Sequence, residues 1–359
     1  MENLVNKLIE NQVLAFDEFV ALLENREQAR EDIKAKAQAI TAENFKKEIY
    51  VRGLIEISNF CKNDCYYCGI GSSNKELDRY RLTKDEILSC CHSGYSLGFR
   101  TFVLQGGEDS FYTDERMTDI IHTIRVGFPD CAITISMGEK SYETYLKYFM
   151  AGANRYLLRH ETANEEHYRK LHPENLSLSN RKECLFHLKE IGFQVGTGFM
   201  VGSPYQTLEN LAEDLLFLKE LEPEMVGIGP FIPHHRTRFA NLPQNELELT
   251  LFLISVIRLM LPHALIPATT AVGTLDPKGR ERAILAGANV LMPNLSPVKV
   301  RKKYELYDNK ICTQEEAAEC NVCLKNRVRG IGYEIVQNRG DHIRMQKEMG
   351  ESRKQHISA

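Results

Sequence analysis

Residues 51–70 read VRGLIEISNFCKNDCYYCGI. The first half is a short apolar run rich in β-branched side chains, the composition of a buried strand. The second half is a loop holding Cys61, Cys65 and Cys68. The strand of this stretch covers 51–59. Seven more runs like it follow, at 101–106, 132–138, 155–162, 194–202, 225–233, 265–272 and 289–294. Amphipathic stretches at 83–97, 114–127, 141–151, 180–191, 207–221, 246–261 and 277–286 separate them as helices. Helical crossovers force successive strands to run parallel, and eight such units close into a barrel. The expected fold is therefore α/β, a complete (β/α)8 TIM barrel. An open doubly wound sheet is the alternative, although it rarely needs eight consecutive units.

Local signals agree with these elements. Thr83-x-x-Glu86 reads as a capping box, and Ser141-x-x-Thr144 shows its first half. Pro262 closes the sixth helix and Pro277 opens the seventh. The tetrapeptide AGAN stands before a strand at 151–154 and again at 286–289, a recurring helix-to-strand turn. Outside the repeat, the first 45 residues read as helix, with 27–39 a charged, Ala-rich and solvated one. The expected divisions are an N-terminal helical segment (1–50), the barrel (51–297), a C-terminal extension (298–345) and a solvated tail (346–359).

The chain has 359 residues, 43% hydrophobic and 26% charged, with a formal net charge of −4. That composition excludes a disordered chain and a small disulfide scaffold. It supplies no global basic field, so neither nucleic acid nor a membrane is an expected partner. Residues 1–10, MENLVNKLIE, mix acids with apolar residues and do not read as a secretion signal. The most apolar run, 249–257, stops at Arg258 after nine residues, far short of the ~20 a membrane helix needs. The expected compartment is the cytoplasm, where clustered cysteines bind metal or react more often than they form disulfides.

Ten cysteines divide by spacing. Cys61, Cys65 and Cys68 form C-x3-C-x2-C directly after the first strand, on the face where barrel active sites lie. Three thiolates leave one position of a four-coordinate centre open. They suit a zinc knuckle with a distant fourth ligand or a 4Fe-4S cluster with one open iron. Tyr67 before the last cysteine favours iron–sulfur, because an aromatic there can shield a cluster. Cys312, Cys320 and Cys323 form C-x7-C-x2-C in the extension, which by itself reads as a small zinc clip or free thiols. Cys90, Cys91, Cys131 and Cys184 show no paired spacing and read as buried small hydrophobes. The other polar candidates stand at strand ends: Gln105, Ser136, Arg159, Glu161, Thr269 and Thr270, with Arg181 beyond. Arg159 and Glu161 read either as ligand contacts or as a mutual ion pair. His234 and His235 lie on a loop after the sixth strand; extra ligands or bases are one reading and solvated loop histidines the commoner one, and neither residue is assigned a role.

The cysteine motif, joined to Gln105-Gly106-Gly107-Glu108 at the end of the second strand, resembles the radical S-adenosylmethionine superfamily. The stretches ISNFCKNDCYYCGI, RYLLRHETAN, MVGIGPFIPH, IPATTAVGT and GANVLMPNLSP are similar to the HydE family of FeFe-hydrogenase maturases. Biotin synthase and methylornithine synthase are relatives. The resemblance implies a radical enzyme with a 4Fe-4S cluster on Cys61, Cys65 and Cys68. It implies that the cluster cleaves S-adenosylmethionine reductively to a 5′-deoxyadenosyl radical. Tyr67, Gly106, Gly107, Glu108, Ser136, Arg159, Glu161, Arg181 and Met200 would hold that cofactor. Tyr205 stands where the superfamily's fifth-strand motif carries a glutamate, which bears on the adenine side. The substrate implied is a small iron–cysteine complex bearing carbon monoxide and cyanide, lined by Gln105, Met225, Thr269, Thr270 and Tyr304. For Met225 and Tyr304, packing is the commoner role. Cys312, Cys320 and Cys323 would hold an auxiliary 2Fe-2S or 4Fe-4S cluster, which many members lack. An electron donor such as ferredoxin or flavodoxin, and other hydrogenase maturases, are the implied partners. The enzyme alternative is methylornithine synthase or another carbon-skeleton radical enzyme. The non-enzyme alternative is a structural zinc protein.

Overall fold

The computed structural model describes residues 1–243, 247–313 and 317–345. Eleven short strands lie among the described residues: β1 Glu48–Val51, β2 Gly53–Ser58, β3 Thr101–Gly106, β4 Ala132–Ser136, β5 Arg155–Leu157, β6 Gln194–Thr197, β7 Met200–Val201, β8 Met225–Val226, β9 Gly229–Pro230, β10 Val290–Leu291 and β11 Glu334–Val336. β2, β3, β4, β5, β6 and β8 form one parallel sheet in chain order, each joined to the next through a helix.

Alternation along these strands sorts their side chains. Ile55 and Ile57, Phe102 and Leu104, Ile133 and Ile135, Tyr156 and Val195 pack outward with Ile87, Met117, Ile121 and Leu185 of the covering helices. The residues between them face the other side. Glu56, Gln105 and Ser136 stand side by side there in register. Lower down, Arg155 donates to Asp341 at 2.7 Å and to Thr101 at 3.2 Å, and Gln194 donates to Asp341 at 2.8 Å. Asp341 follows the C-terminal strand β11, which pairs with β1, so the end of the described chain closes the N-terminal ends of the strands.

All seven helices expected between strands are present, and Thr83 and Ser141 cap two of them through their hydroxyls. Three expectations are corrected. The run 265–272 is not a strand: Leu265 and Pro267 make single bridges to Met225 and Val290, and Thr270–Leu275 is helical. Pro267 has no N–H for a ladder, and Thr269 already opens the helix. Six strands are laddered in one sheet where eight were expected, and β10 of the eighth run pairs with β1 instead; a bridge from Leu54 to Asn294 brings the segment after β10 beside β2. Second, 27–39 is not solvated all round. The helix Arg26–Phe45 buries Ala29, Ile33 and Ala37 in the same core as Leu253 and Ile257 of Leu247–Met260. Full burial of a side chain like Ile33 contributes about 1.5–3 kcal/mol. The signal was in the partner: 249–257 is apolar on every side because both faces are covered. Third, the run 155–162 is a strand only to Leu157, and a further helix, Glu165–Leu171, precedes Leu178–Ile191. No helix among the described residues is long and apolar enough to cross a membrane.

Candidate active site at the strand ends

The cysteine loop leaves β2 and is stitched by polar side chains. Asn59 accepts from the Tyr80 amide at 2.7 Å and donates to the carbonyls of Asp78 and Lys303. The Arg79 guanidinium donates to the carbonyls of Asn59, Ile70, Gly71 and Asn74. The backbone carbonyls of Cys65 and Cys68 accept from the Cys68 and Gly71 amides at 3.0 Å, so two turns follow each other along the cysteine loop. Burial pushes the Cys65 thiol up to about 12, with Cys61 adding to it, and it raises Cys68 and Cys61 as well. Three crowded thiols resist ionising alone; a cationic centre would reverse that by binding thiolates.

The loop after β3 packs against this one. A Cβ on Gly107 would stand 2.2 Å from the Phe60 oxygen and 2.7 Å from Cys61 Cβ, so only glycine fits. Gly138, at φ +72°, makes the same allowance for Glu108, whose Oε1 accepts the Glu139 amide at 3.0 Å. The other Glu108 oxygen meets Lys62 at 3.1 Å. Gly106 lies over the Ser58 carbonyl.

Beyond β5 the chain carries Arg159, His160 and Glu161. Arg159 Nη2 and Glu161 Oε2 are 3.1 Å apart, so the mutual pair exists. Yet these two atoms and Arg159 Nε are buried without a well-formed hydrogen bond. Glu161 sits at φ +67°, a conformation that costs a non-glycine residue about 1–3 kcal/mol. Buried His160 anchors the turn from below through Thr197 at 2.9 Å, with Asp214 3.3 Å from its other ring nitrogen. Arg181 reaches the group from the helix Leu178–Ile191, donating to the Arg159 carbonyl and the Tyr168 hydroxyl and pairing with Glu139 at 2.8 Å. Arg181 and Glu161 both act electrostatically on Cys65 and Tyr67, which brings this polar set and the cysteine loop together. Met200 packs with Phe231 and Phe239 against Tyr66 and Tyr67.

Between the strands, Gln105 donates to the Tyr304 hydroxyl at 3.3 Å with Ser136 beside it. Thr269 precedes Thr270–Leu275 with its buried hydroxyl unpartnered, and Thr270 is the first residue of that helix. Met225 lies beside Gly196 and takes a contact from buried Arg52 at 2.9 Å. The sequence reading missed Glu56 and Lys310, a buried pair at 2.5 Å, with Asn294 on the second carboxylate oxygen. Glu56 could have been found, as an acid inside an apolar strand run; Lys310 carries no local signal. His234 is corrected: it is buried, with Nε2 3.9 Å from both Glu305 and Asp308, while His235 is exposed.

Cys312 is half-buried with Sγ 3.2 Å from Arg280 Nη2, and Cys323 is exposed on the helix Ala317–Gly330. The Cys320 side chain lies outside the described residues, as do residues 346–359. Cys90, Cys91, Cys131 and Cys184 are buried, as expected.

The radical SAM superfamily model matches residues 55–218. The FeFe-hydrogenase maturase subunit HydE of Thermotoga maritima is 43% identical over 344 residues, 91% of this chain and 98% of that protein. A 3-methylornithine synthase of Methanosarcina acetivorans is 29% identical over 91% of this chain and 92% of its own. The crystal structure of a methylornithine synthase, PylB, superposes with a TM-score of 0.80 at 27% identity, covering 93% of this chain and 97% of that one. The cysteine loop and its glycine-cradled neighbour fall within the matched superfamily region, and the chain belongs to the radical S-adenosylmethionine superfamily and, within it, to the HydE family.

Proposed function

We propose that this chain is a radical S-adenosylmethionine enzyme that works in FeFe-hydrogenase maturation, on a small iron–cysteine carbonyl/cyanide complex. One observation carries most of the reading: three half-buried cysteines on one stitched loop, beside an ion pair whose buried atoms lack good hydrogen bonds. The family implies a 4Fe-4S cluster and S-adenosylmethionine, and these residues fit them. Cys61, Cys65 and Cys68 offer three soft ligands and leave one coordination position open. Bound there, the cluster supplies one electron for reductive cleavage of S-adenosylmethionine.

The chain's own residues then have separable tasks. Glu108 would take the methionine ammonium in exchange for exposed Lys62, and Gly106 and Gly107 admit the ligand beside the loop. Arg159 and Arg181 would hold the carboxylate, with Glu161 and Ser136 on the sugar side and Tyr67 and Met200 toward the adenine. Charge-assisted hydrogen bonds of this kind outlast water's competition once the site is closed. Gln105, Thr269, Thr270, Tyr304 and Met225 are our candidates for the substrate chamber. The bridges at Leu265, Pro267 and Asn294 support reading the six-stranded sheet as part of a closed eight-stranded barrel. Cys312, Cys320 and Cys323 are proposed as an accessory cluster site, and the Arg280 guanidinium lies beside Cys312. Other maturases and a low-potential carrier such as ferredoxin or flavodoxin are the proposed partners, in the cytoplasm.

The test is anaerobic turnover of the cluster-loaded protein with the iron–cysteine complex, with the adenosylated product identified by mass spectrometry. Adduct formation on that complex supports the reading. Turnover of an amino acid to a rearranged skeleton instead would assign the methylornithine-synthase class.

A further inference from the structure

Three consecutive residues after β5 divide between two sides of the chain. The Arg159 and Glu161 side chains keep 32% and 12% exposure, while that of His160 between them keeps 0%. The His160 ring lies against Phe217 at 4.9 Å and Phe199 at 5.8 Å. Its Nδ1 is 2.9 Å from the Thr197 hydroxyl oxygen. That hydroxyl gives its one proton to the Leu158 carbonyl at 3.0 Å, so Nδ1 carries the ring proton and donates it to Thr197. Nε2 faces Asp214 Oδ1 at 3.3 Å. Asp214 stands with Leu211, Leu215 and Leu218 among the buried residues of the helix Leu208–Leu221. The same Asp214 oxygen accepts the Ala163 amide at 2.5 Å, and Glu213 beside it accepts from the Asn164 side chain at 3.0 Å. β6 and this helix therefore fix the chain on both sides of Glu161.

Glu161 is the residue they hold under strain. It sits at φ +67°, with its amide donating to the Gly198 carbonyl at 3.1 Å and its carbonyl accepting from the Met200 amide at 3.3 Å. A non-glycine residue keeps such a conformation only where its surroundings impose it.

We propose that His160 is a positioning residue that, with Thr197 and Asp214, holds Glu161 in its left-handed conformation and so presents the Arg159–Glu161 pair to S-adenosylmethionine. This rests on reading that pair as cofactor contacts. The strain at Glu161 is then met before the ligand arrives, by groups on the far side of the chain, and binding does not have to supply it. His160 touches neither cofactor nor cluster; it acts through the backbone of Glu161. What it secures is binding, so its loss falls on KM more than on kcat.

The experiment measures the dissociation constant of S-adenosylmethionine on the cluster-loaded full chain by equilibrium dialysis. His160→Phe keeps a ring in the core and loses the donor to Thr197. Its dissociation constant should rise roughly tenfold, with KM for 5′-deoxyadenosine formation rising alike and kcat falling much less. Glu161→Gly lacks the carboxylate and adopts positive φ freely, so adding His160→Phe to it should cause no further loss of affinity. A histidine that merely filled the core would cost as much there as in the wild type. An unchanged dissociation constant in His160→Phe, a loss confined to kcat, or the same loss again in the double variant overturns the proposal. Hydrogen exchange of the native chain without S-adenosylmethionine stands beside these if His160→Phe does not fold. The Glu161 and Ala163 amides, both bonded before any ligand arrives, should be protected; exchange as fast as in an unstructured peptide would overturn the proposal. A wild-type chain with these amides protected that takes up no 4Fe-4S cluster would instead refute the proposed function.

Discussion

Replacing Gly107 by alanine probes the join between the two loops that build the site. The new Cβ would meet the Phe60 carbonyl oxygen at 2.2 Å and Cys61 Cβ at 2.7 Å. Ordinary contacts there begin near 3.4 Å, so the backbone at Phe60 must move by about an ångström, or the 106–108 turn must. Overpacking of this size costs about 1–3 kcal/mol. At roughly 2–4 °C per kcal/mol for a large domain, the melting temperature should fall by about 2–12 °C. The fold should survive. The larger effect belongs to the site, because the displaced residue is Cys61 and its neighbour Lys62 is fastened to the Glu108 carbonyl at 3.0 Å. Iron and sulfide per chain after anaerobic reconstitution should therefore fall well below the wild-type level, while circular dichroism stays native. Gly127→Ala is the control: it meets nothing within 4 Å and lies inside the helix Asp114–Gly127, so stability should hold or rise slightly. A Gly107→Ala protein with native melting, full cluster loading and an unchanged spectrum would refute the packing argument.

Other outcomes follow from the same geometry. Cys65→Ala should abolish 5′-deoxyadenosine formation from S-adenosylmethionine, because the remaining two thiolates cannot hold the cluster; retained formation measured by chromatography would reject the ligand set. Cys320→Ala combined with Cys323→Ala should leave that cleavage intact in a folded, cluster-loaded chain, since both lie in the extension; its loss would argue against an accessory role. Asp341 should contribute stability that depends on pH. Burial alone would raise its carboxyl, but Arg155, Gln194 and Arg339 together hold it below the ordinary value. A group with a depressed folded pKa stabilises above the unfolded value, near 3.9, and loses that contribution as pH falls through the folded value. Urea denaturation should thus show Asp341→Asn less stable than wild type at pH 7 by about 3–5 kcal/mol, the scale for breaking a buried ion pair, with the gap closing toward pH 3. A gap that does not change with pH would contradict the pairing.

How much could be read in advance depended on how local each interaction is. The helix and strand alternation was legible because every strand has an apolar outer face, and the caps at Thr83 and Ser141 sit within four residues of their partners. The cysteine loop was legible for the same reason. The run 265–272 misled because its β-branched residues sit on either side of Pro267, and a helix cap at Thr269 outweighs strand propensity there. The buried face of Arg26–Phe45 was hidden by charges on its other face and set by a partner more than 200 residues away. Lys310 reaches Glu56 across 254 residues, and His172 reaches Tyr67 across 105. Neither pairing has a spacing that one sequence could reveal.

The most direct measurement is of the reconstituted chain under strict exclusion of oxygen: metal content, followed by electron paramagnetic resonance of the dithionite-reduced protein with and without S-adenosylmethionine. The account predicts a 4Fe-4S signal that changes on adding S-adenosylmethionine, with 5′-deoxyadenosine and methionine formed in equal amounts. Stoichiometric zinc at Cys61, Cys65 and Cys68, with no cluster taken up and no cleavage, would contradict it.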